Sequence, residues 1–315
     1  MSDLAITDML IEERFAEDET LVLMATTPPA GLTARFAGPR VRTFPISEPA
    51  MVGMAIGAAM TGLRPVVDLN RASFLPLVMD QLVNHAAMIP FLSNGQYQVP
   101  MLIVCVTRDD LQLGPQHEQC NYGLLMAVPG IAVVVPGSLA DLCGLARTSL
   151  RAPGPTVLFV DRRIEEQRGI SAAMGTPPIP FGQAARLRDG GDVTVIAVGA
   201  AVERAAMACA QAAQKGIQCM LLDPRTLAPL DVGALGCAAR STGRVVLVDD
   251  GPGAGAPAQL LACLSETPGV LDAVRGRVVT IAAPNVPVPS TPVLERQTRP
   301  SATRILRAIE GVMAR

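Results

Sequence analysis

A chain of 315 residues, half of them apolar, is long enough for about two packed domains. Its net charge of −2 gives no reason to expect nucleic acid or an acidic membrane surface as a partner. Its apolar runs are too short to cross a bilayer, and its acidic N-terminus is unlike a signal or transit peptide. The composition therefore predicts a cytoplasmic protein with no membrane-spanning segment.

Three residue types narrow the chemistry further. The seven cysteines form no C-x-x-C pair, which favours reduced thiols in a cytoplasm. Only two histidines are present, so a zinc site is not expected and no metal ligand is assigned. The single lysine, Lys215, falls on the polar face of a predicted helix. That position excludes a pyridoxal Schiff base and a P-loop, since each needs a lysine elsewhere.

In chain order, helical patterns alternate with short apolar strands. The first half predicts helices at residues 4–17, 47–61, 74–91 and 139–151, strands at 20–24, 65–69, 101–106, 131–135 and 156–160, and irregular stretches at 26–42 and 108–121. The second half predicts strands at 193–198, 218–222, 244–248 and 278–281, and helices at 202–215, 232–241, 257–264 and 303–312. Such alternation is typical of an α/β protein with mostly parallel sheets covered on both faces.

A charged and then Pro/Gly-rich stretch separates the two halves and predicts a linker. We therefore predict two parallel-sheet domains, at residues 1–163 and 184–315, joined by a linker at residues 164–183. No internal repeat or low-complexity tract interrupts them.

The helix at residues 47–61 has the most unusual composition. Ser47 and Pro49 are start signals and Gly62 is a stop signal, while the residues between leave no polar stripe. The pattern predicts a helix buried on all sides, in which small residues let a neighbouring element approach closely. Glu48 is the one carboxylate at the mouth of this helix, so it either stabilises the first turn or has a chemical task.

An ordered set of motifs gives the chain a resemblance that runs from about residue 4 to the C-terminus. The motifs are Pro45-Ile-Ser-Glu48, Gly53-x-x-x-Gly57, Gly62-Leu-Arg-Pro65, Met79-Asp-Gln-Leu-Val-Asn84, Gln116-His117, Val128-Pro-Gly130, Pro224-Arg-Thr-Leu-x-Pro-Leu-Asp231 and Val286-Pro-Val-Pro289. In this order they resemble the β subunits of thiamine-diphosphate-dependent 2-oxoacid dehydrogenases (pyruvate, branched-chain and acetoin types) of the transketolase superfamily. The resemblance implies a transketolase-like pyrimidine-binding domain followed by a transketolase C-terminal-like domain.

The resemblance also implies roles for individual residues. The residue matching Glu48 hydrogen-bonds N1′ of the cofactor's aminopyrimidine ring and relays the proton that activates thiazolium C2, a task suited to a carboxylic acid. Phe74 matches the aromatic residue on which the pyrimidine stacks, although a core phenylalanine is the alternative. Ile46 and Asn70 are further cofactor contacts. His117 matches a histidine at the substrate end, with a solvated loop residue as the alternative.

One family element is missing from this chain. No Gly-Asp-Gly with a distant Asn occurs, and diphosphate needs a bound cation and backbone N–H donors. We therefore expect thiamine diphosphate and Mg²⁺ to bind mainly together with an α subunit, in an α2β2 heterotetramer. A lipoyl-domain protein is a further candidate partner.

Two loops depart from the family pattern. Residues 25–31 lack the usual acidic and glycine-rich approach loop, and residues 107–114 lack a glycine-rich run. Arg71, Arg108 and Gln116, with Asp109 and Asp110 beside them, are candidates for the substrate mouth, with an ordinary solvated loop as the alternative.

These observations predict an enzyme subunit that decarboxylates a 2-oxo acid and transfers the acyl or hydroxyalkyl unit to a lipoyl group or, by carboligation, to an aldehyde. Two alternatives stay open: the C-terminal half of a split transketolase, and a non-catalytic scaffold paralogue.

Overall fold

Two separate sheets organise the chain, and each consists mostly of parallel strands. The computed structural model describes residues 6–36, 38–108, 111–165, 169–274 and 278–314. Their succession of short buried strands and helices is the predicted α/β architecture.

The first sheet has seven strands in the order β10-β5-β6-β4-β3-β1-β2. Its strands are β1 (Leu21–Ala25), β2 (Val41–Thr43), β3 (Arg64–Arg71), β4 (Leu102–Val106), β5 (Ala132–Val134), β6 (Thr156–Val160) and β10 (Thr226–Ala228). All neighbours pair in parallel except β10, which runs antiparallel to β5 and comes from the second half of the chain. This strand crosses the predicted domain division.

The second sheet has five strands in the order β12-β11-β8-β9-β7. Its strands are β7 (Ala185–Arg188), β8 (Val193–Ala197), β9 (Cys219–Asp223), β11 (Val245–Pro252) and β12 (Val279–Ala283). Only β7 is antiparallel to its neighbour. The short β7 and β10 were not predicted, because three or four residues carry too little periodicity.

Helices cover both sheets. They are α1 (Ile6–Glu17), α2 (Ala30–Phe36), α3 (Glu48–Met60), α4 (Ile89–Leu92), α5 (Leu139–Ser149), α6 (Arg162–Glu165), α7 (Ile170–Met174), α8 (Ala201–Gln214), α9 (Val232–Thr242), α10 (Ala256–Glu266), α11 (Val270–Ala273), α12 (Pro292–Gln297) and α13 (Ala302–Met313). In the first half, α3 shares a core with one face of the sheet, while α1 and α5 share a core with the other face. None of the helices within the described ranges is long and apolar enough to cross a membrane.

The predicted burial of α3 on all sides is wrong for the chain alone. Met51, Val52 and Ile56 are buried against the sheet, but Met54 is 60% exposed. Gly53 and Gly57 lie beside Met54, and a Cβ added at either glycine would meet no described atom within 4 Å. One face of this apolar helix is therefore bare.

Three other segments differ from their predictions. The stretch at residues 26–42, expected to be irregular, contains α2 and β2. The helix expected at residues 74–91 is divided into a 3₁₀ turn (Ala72–Val78), a π-helical turn (Gln81–Ala86) and α4. Pro76 and Pro90 account for part of the division, because proline cannot donate the regular helical hydrogen bond.

The segment expected to be a linker is partly ordered against the first half. It contains α6 and α7, and Arg147 of α5 donates hydrogen bonds of 2.8 Å to the carbonyl oxygens of Met174 and Thr176. The domain boundaries themselves stay a prediction.

Candidate active site

The predicted site residues come from segments at one edge of the first sheet. The pairing of Asn70 with Cys105 and of Arg71 with Val106 aligns the carboxyl ends of β3 and β4. Ile46 and Glu48 follow β2, and Gln116 and His117 lie in the segment after β4. Because ligands of open α/β sheets bind outside the carboxyl ends of the strands, a binding site is expected at this edge.

Glu48 is the first residue of α3 and is half-buried. The neighbouring Ser47 makes no side-chain cap, and no described residue donates a hydrogen bond to the Glu48 carboxylate. The positive end of the helix dipole favours a negative charge at this position. Two residues earlier, Ile46 is 86% exposed, so an apolar surface lies next to this carboxylate.

Phe74 and His117 are brought into contact. Their ring centroids lie 5.5 Å apart with an interplanar angle of 73°, an edge-to-face arrangement. Two hydrogen bonds connect the segments that carry them: Gln119 N–H donates to Ser73 Oγ at 3.1 Å, and Asn121 Nδ2 donates to the Ala72 carbonyl at 3.3 Å. His117 Nδ1 is buried and has no hydrogen-bond partner within the described part of the chain.

Asn70 lies at a bulge near the end of β3. Its φ of 67° is in the left-handed region, which asparagine tolerates better than most residues. Its backbone N–H donates to Asp68 Oδ1 at 2.8 Å, so the preceding carboxylate holds the turn. The side chain of Asn70 is exposed at the carboxyl edge.

The three predicted substrate residues occupy different environments. Gln116 is exposed beside His117. Arg71 is buried, with Nη1 4.0 Å from Oε1 of the fully buried Glu118. Arg108 is only 1% exposed and connects the two halves, since it donates to Thr298 Oγ1 at 3.2 Å and to the Asp250 carbonyl at 3.4 Å. Asp109 and Asp110 lie outside the described residues.

Arg108 belongs to a buried charge cluster whose extent the sequence did not reveal. Burial alone would raise the pKa of Asp250, but the guanidinium groups of Arg204, Arg163 and Arg108 lower it to about 2. Arg204 donates to Asp250 Oδ1, and Arg163 Nη2 lies 3.2 Å from Asp250 Oδ2. The cluster joins the end of β11 to the first half, which is a structural task.

Asp249, the residue before, has the opposite electrostatic environment. Burial raises the pKa of Asp249 to about 7, although hydrogen bonds from the Tyr122 hydroxyl and the Gly251 N–H act to lower it. Two consecutive acids at the end of an apolar strand were the available signal.

Among the residues that the structure describes, no group of three or more His, Cys, Asp or Glu side chains is arranged to hold a metal ion. The seven cysteines are free thiols, and five of them are buried.

Two family profiles match the two halves in order. The family described as "Transketolase, pyrimidine binding domain" matches residues 20–166, and "Transketolase, C-terminal domain" matches residues 182–305. The chain is also similar to a solved structure titled "Split gene transketolase, inactive beta4 tetramer", with a TM-score of 0.81 and 18% identity over 98% of this chain and 97% of that chain. That likeness concerns the fold. The chain therefore has the fold of the transketolase-type enzymes.

Relatives define the class more narrowly. The acetoin:2,6-dichlorophenolindophenol oxidoreductase subunit beta of Bacillus subtilis (strain 168) is 34% identical and covers 88% of this chain and 80% of its own length. The pyruvate dehydrogenase E1 component subunit beta of Rickettsia felis (strain ATCC VR-1525 / URRWXCal2) is 31% identical and covers 98% of this chain and 96% of its own length. This chain belongs to the family of β subunits of the thiamine-diphosphate-dependent 2-oxoacid dehydrogenases. The predictions of fold, family and enzyme class are thereby confirmed.

Proposed function

We propose that this chain provides the pyrimidine side of a thiamine-diphosphate site and that an α subunit provides the diphosphate and Mg²⁺ side. The observation that carries the proposal is Glu48: a half-buried carboxylate at a helix start, without a described hydrogen-bond donor, at the carboxyl edge that also contains Phe74 and His117. These residues fit an aminopyrimidine ring. A division of the site between two chains follows from the resemblance, because the sequence lacks the Gly-Asp-Gly with a distant Asn that holds the diphosphate and its cation in the family.

Each of these residues has a separate role in the proposed site. Glu48 holds a proton at N1′ of the pyrimidine, a task for general acid–base catalysis. Phe74 provides an aromatic surface for stacking, while the exposed Ile46 and Asn70 contact the ring. His117 moves a proton to or from an oxygen of the substrate, with Gln116 and Arg71 near the same opening. When bound, the cofactor would supply a nucleophilic carbon for chemistry at the substrate carbonyl.

Exposed apolar side chains support assembly with other subunits. Ile46 is 86% exposed, Met54 60%, Phe91 85% and Leu92 75%. Large apolar patches on a folded chain mark interaction surfaces. The bare face of α3, with Gly53 and Gly57 at its centre, allows a partner backbone to approach closely. An α2β2 heterotetramer with two cofactor sites between subunits covers these surfaces.

The assembly can be tested by calorimetry. We expect the purified chain to bind thiamine diphosphate weakly or not at all, and the mixture with its α subunit to bind it tightly in the presence of Mg²⁺. Tight, Mg²⁺-dependent binding to the single chain would contradict the proposal.

A bulky substitution on α3 sharpens this test. In Gly57→Leu the added side chain meets no described atom of the same chain, so the isolated chain should fold and melt normally, whereas assembly with the α subunit should be lost. Gly311→Leu is the matched control, because Gly311 is also a helical glycine with open space at Cβ. Assembly of the Gly57→Leu chain at normal affinity would remove α3 from the interface.

The reaction that we propose is transfer of an acyl or hydroxyalkyl unit from a 2-oxo acid to a small polar acceptor such as an aldehyde. The sequence lacks a glycine-rich approach loop at residues 25–31. In the structure, helix α2 begins directly after Pro29 and occupies part of this segment. Phe36 of α2 stacks on Phe15 of α1 with ring centroids 4.8 Å apart, which anchors that helix. A fixed helix suits a small acceptor better than a long lipoyl arm.

A parallel assay separates the two acceptors. The assembled complex is offered pyruvate and other 2-oxo acids, with either a free lipoyl domain or a panel of aldehydes. We expect carboligation products by mass spectrometry to form faster than any acylated lipoyl domain. Rapid acylation without carboligation would mean that the protein has an ordinary dehydrogenase role. If the complex catalysed neither of the two reactions, the result would favour the scaffold alternative.

The free thiols are consistent with the proposed cytoplasmic location.

A further inference from the structure

A large cavity lies on the face of the first sheet opposite α3. Its volume is about 800 Å³, which is within the usual ~300–1,000 Å³ range of small-molecule sites. Its floor is apolar and is made by side chains from β1, β3, β4 and β6, including Leu23, Val104 and Val160. Helices α1, α2 and α6 form its walls.

The cavity reaches the proposed cofactor site. Asn70, at the carboxyl edge of β3, contributes to its lining, as does Thr27 in the segment after β1. Asn70 immediately precedes Arg71 and the 3₁₀ turn that carries Phe74. A ligand that reacts at this edge therefore has room to extend into the cavity along the far face of the sheet.

Among the described residues that line the cavity, the charged ones are predominantly acidic. They are Asp8, Glu12, Asp68 and Glu165, against Arg35 and Arg162, which gives a formal charge of −2 when all are ionised. Both guanidinium groups pair with carboxylates of the same cavity, Arg35 with Glu12 and Arg162 with Glu165 at 3.5 Å. Glu165 also accepts a hydrogen bond of 2.9 Å from the Thr7 hydroxyl.

Asp68 is the acid on the sheet itself. It lies two residues after the floor residue Val66, on the same face of β3, and its Oδ1 accepts the hydrogen bond from Asn70 N–H. Burial raises the pKa of Asp68, and Arg162 acts in the opposite direction. A carboxylate in such a place is stabilised by an added cation, because a charge removed from water needs a partner.

We propose that this cavity is a subsite for the distal part of a substrate, namely an apolar chain that carries a positively charged nitrogen. The apolar floor takes the chain, and Asp68 and its neighbouring acids attract the cation. A substrate with a distal carboxylate is disfavoured by the same charges. The assignment of this ligand as a substrate rests on the proposed function, whereas its binding to the cavity does not.

The first experiment measures binding to the full chain without cofactor, by calorimetry, with n-hexylammonium, n-hexanol and hexanoate as probes. We expect hexylammonium to bind more tightly than hexanol, and hexanoate to bind most weakly. Asp68→Asn keeps an acceptor for the Asn70 N–H and should lower hexylammonium affinity about tenfold without changing hexanol affinity, a scale typical of close charge pairs.

Two further variants control this measurement. Asp18→Asn changes an acid outside the cavity whose Oδ1 accepts a similar hydrogen bond, of 2.9 Å, from Thr20 N–H, and it should leave binding unchanged. Ala30→Phe alters an exposed cavity residue of α2, so the chain should fold normally while all probes lose affinity. Absence of hexylammonium binding, or binding that neither Asp68→Asn nor Ala30→Phe weakens, would overturn the proposal.

A kinetic experiment on the assembled complex distinguishes a substrate from a separate effector. We expect Asp68→Asn to raise KM about tenfold for a 2-oxo acid with a terminal ammonium group, and to leave kcat and the KM of the matching alkyl 2-oxo acid unchanged. If hexylammonium instead alters the rate without competing with the substrate, the cavity is an effector site and the substrate assignment is wrong. If the assembled wild-type complex showed no turnover but hexylammonium still bound, the proposed function would be wrong, whereas the cavity would still be a binding site for a cation.

Discussion

The carboxyl edges of the two sheets have opposite environments. On the first sheet, Ile46, Asn70 and Gln116 are exposed at this edge, and Glu48 is half-buried beside them. On the second sheet, the carboxyl-terminal part of β11 contains Asp249 and Asp250, which are 0% and 4% exposed. Both sheets are built from the same parallel units, so position at the carboxyl edge is not sufficient to make a site.

The difference lies in what covers each edge. Residues from both halves enclose the end of β11: Tyr122 and Arg163 from the first, and Arg204 of α8 from the second. The edge of the first sheet has no comparable cover within the described residues, and we have proposed that another subunit supplies it. The carboxylate at the enclosed edge therefore holds the halves together, whereas we have proposed a catalytic task for the carboxylate at the open edge.

The largest effect is expected at the enclosed edge. Asp250→Ala leaves the guanidinium groups of Arg204 and Arg163 without their shared carboxylate, so it should lower the free energy of unfolding by about 3–5 kcal/mol. Urea unfolding of the isolated chain measures this loss. Asp189→Ala is the control, because its pair with Arg186 is largely exposed and should contribute less than about 1 kcal/mol. An equal loss in both variants would mean that the enclosed cluster does not hold the halves together.

At the open edge, Glu48→Gln should spare folding and impair catalysis. The amide keeps the shape of the side chain but cannot relay a proton, so we expect turnover of the assembled complex to fall by at least ~10²-fold. Turnover and proton exchange at thiazolium C2 are the measurements. Glu203→Gln removes the equivalent first-turn carboxylate of α8 and should leave both unchanged. Near-normal turnover in Glu48→Gln would assign Glu48 to helix capping.

A smaller effect distinguishes Asp249 from its neighbour by pH. Because the folded chain raises the pKa of Asp249 to about 7 from about 3.9 in unfolded chains, the protonated residue stabilises the fold at low pH. That contribution is complete below about pH 4 and declines as the pH rises to about 7. Relative to wild type, Asp249→Asn should therefore gain about 1–3 kcal/mol in unfolding free energy between pH 5 and 8. A constant difference over this range would show that Asp249 stays ionised.

Local signals in the sequence predicted much of the fold. Ser47, Pro49 and Gly62 bounded α3 within two residues, because capping and chain-stopping preferences act over one turn. Burial of α3 was mispredicted for a different reason: an apolar helix face looks the same in a sequence whether its own chain or another subunit covers it. The division of residues 72–92 into 3₁₀, π and α turns depended on tertiary packing as well as on the two prolines.

The candidate site was predictable only where motifs were continuous. Glu48 and His117 stood in recognisable motifs, and the contact between Phe74 and His117 joined residues 43 positions apart that no periodicity connects. The burial of Arg108 was not predictable, since its contacts at Thr298 and Asp250 come from the other half of the chain. The same holds for the cavity beneath α1 and α2, whose lining comes from residues up to 158 positions apart.

The antiparallel strand β10 restricts how the gene could be rearranged. Residues 226–228 complete the outer edge of the first sheet against β5, and Arg225 accepts a hydrogen bond of 2.9 Å from the Val135 N–H. A polypeptide that ended at the linker would leave the outer edge of β5 unpaired, and an exposed strand edge recruits other chains. Fission of this gene between its two halves would therefore yield a first product prone to aggregation, whereas a circular permutation that keeps residues 226–228 next to β5 should be tolerated.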